Sequence, residues 1–212
     1  IYAQGTFPPL AVVGPYLETK WAGWPPYFES VPCLPEELKG YQGCVPLAMS
    51  QILRYYKYPK NGTGSKDYFF NYNNQICSGT INFLQSSYYY DLMPERLTYS
   101  PCLPPYDPYN FDILPTVSQQ MIDAIGKLQF DCGVACGMVW GNGTPPSQST
   151  QFGYILTKYF KYSPDSRYIK PSFFASCNDY KNELRNSLMQ KYPILAGITG
   201  HAFVIDGFMG NW

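Results

Sequence analysis

Gly43-Cys44-Val45-Pro46-Leu47-Ala48-Met49-Ser50-Gln51-Ile52-Leu53-Arg54-Tyr55-Tyr56 is the stretch on which the reading of the fold turns. Val45, Ala48, Met49, Ile52, Leu53 and Tyr56 recur at spacings of three and four, which predicts an amphipathic helix starting at Cys44 with one apolar stripe against a core. Pro46 suits the first turn, where amides have no intrahelical acceptor to lose. Pro59 and Asn61-Gly62 stop the helix. A thiol at the first helical residue sits where backbone N–H groups and the helix dipole favour negative charge, which suits a nucleophile. Gly43 leaves room for a substrate backbone to approach, and the Cys44 amide is placed to face a developing oxyanion. The plainer alternative is a small buried core residue.

Working outward, the other apolar patterns order themselves behind this helix. A second helix is expected over Thr116–Phe130, with Met121, Ile122, Ile125 and Leu128 as its stripe. Val134–Trp140 reads as a strand before the Gly141-Asn142-Gly143 turn. A third helix is expected across Ser149–Tyr159. A fourth begins at Ser176, with Asp179 three residues on, carries Leu184, Leu188 and Met189, and ends at Pro193. Ile194–Ile198 and His201–Ile205 read as adjacent strands separated by Thr199-Gly200. Residues 60–115 read mostly as loop and 1–43 as extended chain wrapping a core. Helices first and strands last predict an α+β fold in one domain over 1–212.

The chain has 212 residues, with 15 basic and 15 acidic side chains. The cancelled charge argues against nucleic acid and anionic membrane surfaces as partners. No run approaches the roughly 18–20 apolar residues of a membrane span. Seven cysteines allow up to three disulfides, and none of the usual zinc spacings occurs, so no metal is expected. Tyr, Pro and Cys richness with low charge points to a secreted or periplasmic protein. The aromatic excess fits either core packing or a sugar-stacking face.

His201 is the single histidine. At the start of a strand it is either a satisfied structural residue or the base that takes a thiol proton. His201, Phe203 and Ile205 share one strand face, and Asp206 belongs to the other, where it reads as a turn residue beside Gly207.

Gly43-Cys44-Val45…Ala48…Gln51-Ile52-Leu53…Tyr55…Tyr58-Pro59 resembles the active-site helix of the streptopain family of secreted bacterial cysteine peptidases. Gly200-His201-Ala202-Phe203-Val204-Ile205-Asp206-Gly207 is similar to that family's histidine strand. Trp24…Pro26-Tyr27…Cys33, Tyr90-Asp91-Leu92-Met93-Pro94 and Asp131-Cys132-Gly133-Val134-Ala135 resemble further landmarks, so the likeness runs from about Val13 onward.

The resemblance implies a papain-like fold in two parts: a helical half with the nucleophile and a twisted antiparallel sheet with the histidine. It implies a cysteine endopeptidase with Cys44 as nucleophile, His201 as base, the Cys44 backbone N–H in the oxyanion hole, and no cofactor. It also implies a secreted or cell-surface zymogen, of which this chain is the mature form without its propeptide. Protein or peptide substrates and an inhibitory propeptide are the expected partners. Gly141, Ser147 and Gly200 are carried over as lining the substrate cleft. The family position for a side-chain oxyanion donor falls at Leu38, so no donor is named; Gln42 is nearby, and Gln51 reads as structural. The residue that orients the histidine and the closing strands of the sheet are expected beyond Trp212, leaving the domain C-terminally incomplete, because Asn211-Trp212 follows His201 too soon. A catalytically inactive relative that binds peptide or protein through the cleft is the alternative.

Overall fold

Helix α1 (Cys44–Tyr56) forms where its stripe predicts, with Val45, Ala48, Met49, Ile52 and Leu53 buried along one side. It stops at Lys57, two residues before Pro59: Lys57 takes up a left-handed conformation, and the amides of Lys57 and Tyr58 bond the Arg54 and Leu53 carbonyls at 3.2 Å. Such bonds satisfy carbonyls that the last turn leaves free. The structure, a computed structural model, describes residues 11–23, 26–27, 31–32, 43–72, 75–98, 112–140, 151–165 and 168–210.

Helix α2 (Gln119–Cys136) packs against α1. Met49 and Leu53 of α1 and Ile125 and Leu128 of α2 are fully buried in the shared core. Each such side chain contributes about 1.5–3 kcal/mol by leaving water. The strand expected over Val134–Trp140 does not form, because α2 continues through that segment to Cys136. Every residue from Asp131 to Cys136 is buried, so the end of α2 has no polar face, and a helix without one loses the periodicity that would identify it. Gly137, at φ 73°, terminates it, with the Met138 amide bonding the Gly133 carbonyl at 2.9 Å. The buried Asp131 carboxylate accepts from the Tyr88 hydroxyl at 2.9 Å and from the Lys127 ammonium.

Helix α3 (Phe152–Phe160) lies within one residue of its expected end, and Phe152, Ile155, Tyr159 and Phe160 are its buried side. Helix α4 (Cys177–Met189) starts as its sequence predicts, since Ser176 Oγ accepts from the Asp179 amide at 3.1 Å. Its stripe is thinner than expected: Leu188 is buried, but Met189 is exposed.

Within the region expected to be loop, residues 65–82 form a hairpin of β2 (Ser65–Tyr72) and β3 (Gln75–Asn82), paired from Ser65 opposite Asn82. Phe70 and Cys77 face the core while Phe69 and Ile76 stand exposed on the other face. Apolar residues on both faces blur the alternation that marks a half-buried strand. Strands β4 (Ile194–Ile198) and β5 (His201–Ile205) pair antiparallel, as expected, across the two-residue Thr199-Gly200 turn. Strand β6 (Phe208–Met209) pairs with β1 (Val12–Val13) near the start of the chain. Among the described residues the strands thus form three two-stranded pairs rather than one continuous sheet.

The segment after β1 is extended, as expected, and ties the two parts together. The Tyr16 amide bonds the Asp206 carbonyl at 3.1 Å, and the Trp21 indole bonds the Pro94 carbonyl at 2.8 Å. Cys77 is disulfide-bonded, whereas Cys44, Cys132, Cys136 and Cys177 are free thiols, so the three bridges allowed by the count do not form. Among the described residues no helix is long and apolar enough to cross a membrane.

Candidate active site

The site begins with a backbone constraint at Gly43. Its φ is 92°, in the region that favours glycine, and a Cβ there would lie 2.9 Å from Met138 Cε and 3.2 Å from its Sδ. The space expected for a substrate backbone is therefore filled by Met138, which is itself buried. The glycine that ends α2 delivers Met138 to this position, so the end of α2 borders the backbone just before Cys44.

Cys44 follows as the first residue of α1 and is half-buried. No acidic side chain occupies the first turn of the helix. Leu47 makes the first intrahelical bond, to the Gly43 carbonyl at 3.4 Å, and Pro46 has no N–H. The Cys44 and Val45 amides have no partner among the described residues, as the start of a helix dictates.

The sulfur is held from the other half of the molecule. Cys44 Sγ accepts a hydrogen bond from the Ala202 amide at 3.2 Å, across 158 positions of sequence. Ala202 follows His201 on β5, so α1 and β5 bring the thiol and the histidine strand together. The Ala202 side chain is buried, and His201 on the opposite strand face is exposed. The imidazole lies nearly parallel to the Phe203 ring, with centroids 6.2 Å apart and planes at 19°. Among the described residues the imidazole makes no hydrogen bond.

Other candidates separate from this pair. Asp206 Oδ2 accepts from the Leu17 amide at 2.9 Å, which gives it a structural bond to the extended segment. Gln51 Nε2 donates to Thr19 Oγ1 at 3.2 Å and to the Thr19 carbonyl at 3.3 Å, in the second half of α1. Gly200, at φ 80°, precedes His201 in an exposed turn, where a Cβ would meet nothing within 4 Å. Gly141, Ser147, Leu38, Gln42, Trp24, Cys33 and the Asn211-Trp212 pair lie outside the described residues. Sequence reasoning missed Met138 and the Ala202 amide. A backbone N–H leaves no trace in residue identity, although Ala202 beside His201 marks a small residue turned to the core.

The other thiols have different surroundings. Cys132 and Cys136 are buried in α2, and burial pushes both thiols up, Cys136 to about 12. Cys136 Sγ donates to Met49 Sδ at 3.2 Å. Cys177 is exposed at the start of α4.

Known proteins share this architecture. The structure of the active wild-type interpain A cysteine protease of Prevotella intermedia is 25% identical, covers 93% of this chain and 77% of its own, and superposes with a TM-score of 0.70. A prointerpain A fragment from the same organism is 27% identical and covers 93% of this chain and 58% of its own, at a TM-score of 0.72. The chain therefore has the papain-like α+β fold. The thiol protease/hemagglutinin PrtT of Porphyromonas gingivalis is 26% identical over 210 residues, which are 92% of this chain and 22% of that protein. Streptopain of Streptococcus pyogenes is 27% identical over 173 residues, 80% of this chain and 40% of that protein. The chain thus spans about a fifth and two fifths of the length of these two relatives. Residues 21–212 match the sequence model of the peptidase C10 family, and the chain belongs to that family.

Proposed function

We propose that this chain carries the catalytic site of a cysteine endopeptidase, with Cys44 as nucleophile and His201 as general base. The observation that supports it best is the 3.2 Å bond from the Ala202 amide to Cys44 Sγ, which sets the thiol at a helix N-terminus beside the residue that follows the only histidine. His201 takes the thiol proton, and the sulfur attacks the peptide carbonyl carbon to form a C–S bond. The resulting oxyanion meets the Cys44 amide, which has no partner among the described residues and is ready to donate. Collapse breaks the C–N bond as the imidazolium gives its proton to the leaving amine. Water, deprotonated by His201, then cleaves the thioester and releases the acid.

Gly200, in the open turn before His201, together with Gly141 and Ser147, is assigned to the substrate cleft. An inhibitory propeptide is the proposed partner before activation, supported by the prointerpain A likeness. Extracytoplasmic location is supported by the Cys77 disulfide.

An epoxide inhibitor of cysteine peptidases tests the assignment. One adduct is expected, mapped to Cys44. Cys44→Ala and His201→Ala are each expected to lower the rate of protein hydrolysis by about 10³-fold or more without loss of fold. Labelling of Cys177 in preference to Cys44, or full activity without His201, would overturn it.

A further inference from the structure

A concave site lies on the far half of α1. A cavity of about 260 Å3 is enclosed by the extended segment at Tyr16–Thr19, by Gln51, Arg54 and Tyr55 of α1, and by Glu95. Gln51 and Arg54 follow Cys44 by seven and ten residues, which places them about 10–15 Å further along the helix axis. The cavity is therefore separate from the thiol.

Its walls are fixed before anything binds. The hydroxyls of Tyr16 and Tyr55 are turned away to donate to the Leu188 and Lys191 carbonyls, at 2.8 and 3.1 Å. Their rings stand 6.4 Å apart. Arg54 Nε donates to the Met93 carbonyl at 2.8 Å, and the Lys20 amide bonds the Glu95 carbonyl at 2.7 Å. The tyrosine and arginine side chains therefore lose little entropy on binding, and the exposed Glu18 and Glu95 carboxylates are the groups a ligand must order.

The charges around this cavity are opposite and yet unpaired with each other. Among the described residues, neither Glu18 nor Glu95 makes an ion pair, and the terminal nitrogens of Arg54 make no hydrogen bond, Arg54 acting on Asp91 only at longer range than the Lys57 contact. Lys57, the other cation at the cavity, is already taken by Asp91 at 2.6 Å. A guanidinium fork binds a carboxylate through two parallel hydrogen bonds. An ammonium group is drawn to carboxylates and to the faces of tyrosine rings. A lone anion would meet the two glutamates, and a lone cation would meet Arg54. The ligand that satisfies every group carries both charges a short distance apart.

We infer that this cavity binds the zwitterion of a free amino acid or very short peptide, its carboxylate on the Arg54 terminal nitrogens and its ammonium between Glu18 and Glu95 beside Tyr16 and Tyr55. The volume falls just under the range of about 300–1,000 Å3 for drug-sized sites, which suits one or two residues. Binding here is independent of the chemistry at Cys44.

Saturation-transfer NMR on the whole protein tests it, with glycyltyrosine bearing free termini, its N-acetylated and C-amidated counterpart, and N-acetylglucosamine as probes. The free dipeptide is expected to bind at least 10-fold more tightly than the blocked one. Glu95→Gln and Arg54→Lys are each expected to weaken it at least 5-fold while leaving the rate of protein hydrolysis unchanged. Glu95 is exposed, so its variant remains informative if Arg54→Lys does not fold. Equal binding of the blocked dipeptide would overturn the inference, since the peptidase cleft accepts chains without free termini. So would binding of N-acetylglucosamine alone, no binding of any probe, or dipeptide binding untouched in both variants.

Discussion

Cys44 and Cys136 occupy opposite ends of two packed helices, and their surroundings are opposite too. Cys44 is the first residue of α1, and its sulfur accepts a hydrogen bond from the Ala202 amide. Cys136 is the last residue of α2, where its thiol donates to Met49 Sδ and burial pushes it up to about 12. A helix N-terminus favours an anion and a C-terminus disfavours one. A buried thiol acting as donor must keep its proton. One residue type on adjoining helices thus meets a backbone donor in one place and the buried core in the other.

The sharpest way to break this contrast is to measure alkylation. Iodoacetamide at pH 8 is expected to modify Cys44 at least about 10³-fold faster than Cys136 in the folded protein, because a thiol near 12 is ionised in only about one molecule in 10⁴ at that pH. Cys177, exposed, should react as well. Peptide mapping over time reads the ratio, and unfolding should erase it. Comparable rates for Cys44 and Cys136 in the native protein would show that burial does not separate them.

A smaller effect is expected from the two glycines that flank the proposed dyad. Gly43→Ala meets both a φ of 92° and Met138 at 2.9 Å, while Gly200→Ala meets a φ of 80° and open space. The left-handed region alone costs a non-glycine residue about 1–2 kcal/mol. Gly43→Ala adds displacement of a buried methionine, and a small shift of a nucleophile lowers rates steeply. The melting temperature should fall by a few degrees in both, and the hydrolysis rate should fall further in Gly43→Ala than in Gly200→Ala, by about 10-fold or more. Equal rates in the two variants would mean that Met138 does not set the position of Cys44.

These glycines also mark how far the sequence could be read. Helix α1 and strands β4 and β5 were legible because a periodic stripe and two short apolar runs carry their own stops. The last turns of α2 were not, since Asp131–Cys136 are buried on every side and lack a polar face. The β2–β3 hairpin was hidden by Phe69 and Ile76 on its outer face. The positions of Cys44 and His201 came from local pattern and family likeness. What surrounds the thiol did not, because Met138 beside Gly43 and the Ala202 amide on Cys44 Sγ are brought there only by tertiary packing. Gly43 illustrates the difference: it reads as room for a substrate backbone, whereas Met138 lies where its side chain would be.

The smallest expected effect concerns stability at alkaline pH. Cys132 and Cys136 have folded-state pKa values raised above their ordinary value of 9.0, by burial first. A group raised on folding holds its proton more tightly in the native state, so its contribution is complete below about pH 9 and is lost as pH rises beyond it. The slope approaches about 1.4 kcal/mol per pH unit for each such thiol. Buried Tyr88 and Tyr90 and half-buried Tyr162 are also raised, from 10.0, and add their own loss at higher pH. The thiols therefore dominate the interval from about pH 9 to 10. Urea unfolding across that interval should show stability falling in the native protein and falling less steeply in Cys136→Ala. If Cys136→Ala left the slope as steep as in the native protein, burial at the end of α2 would not be what ties stability to the protonation of that thiol, and that side of the contrast between the two helix ends would fail.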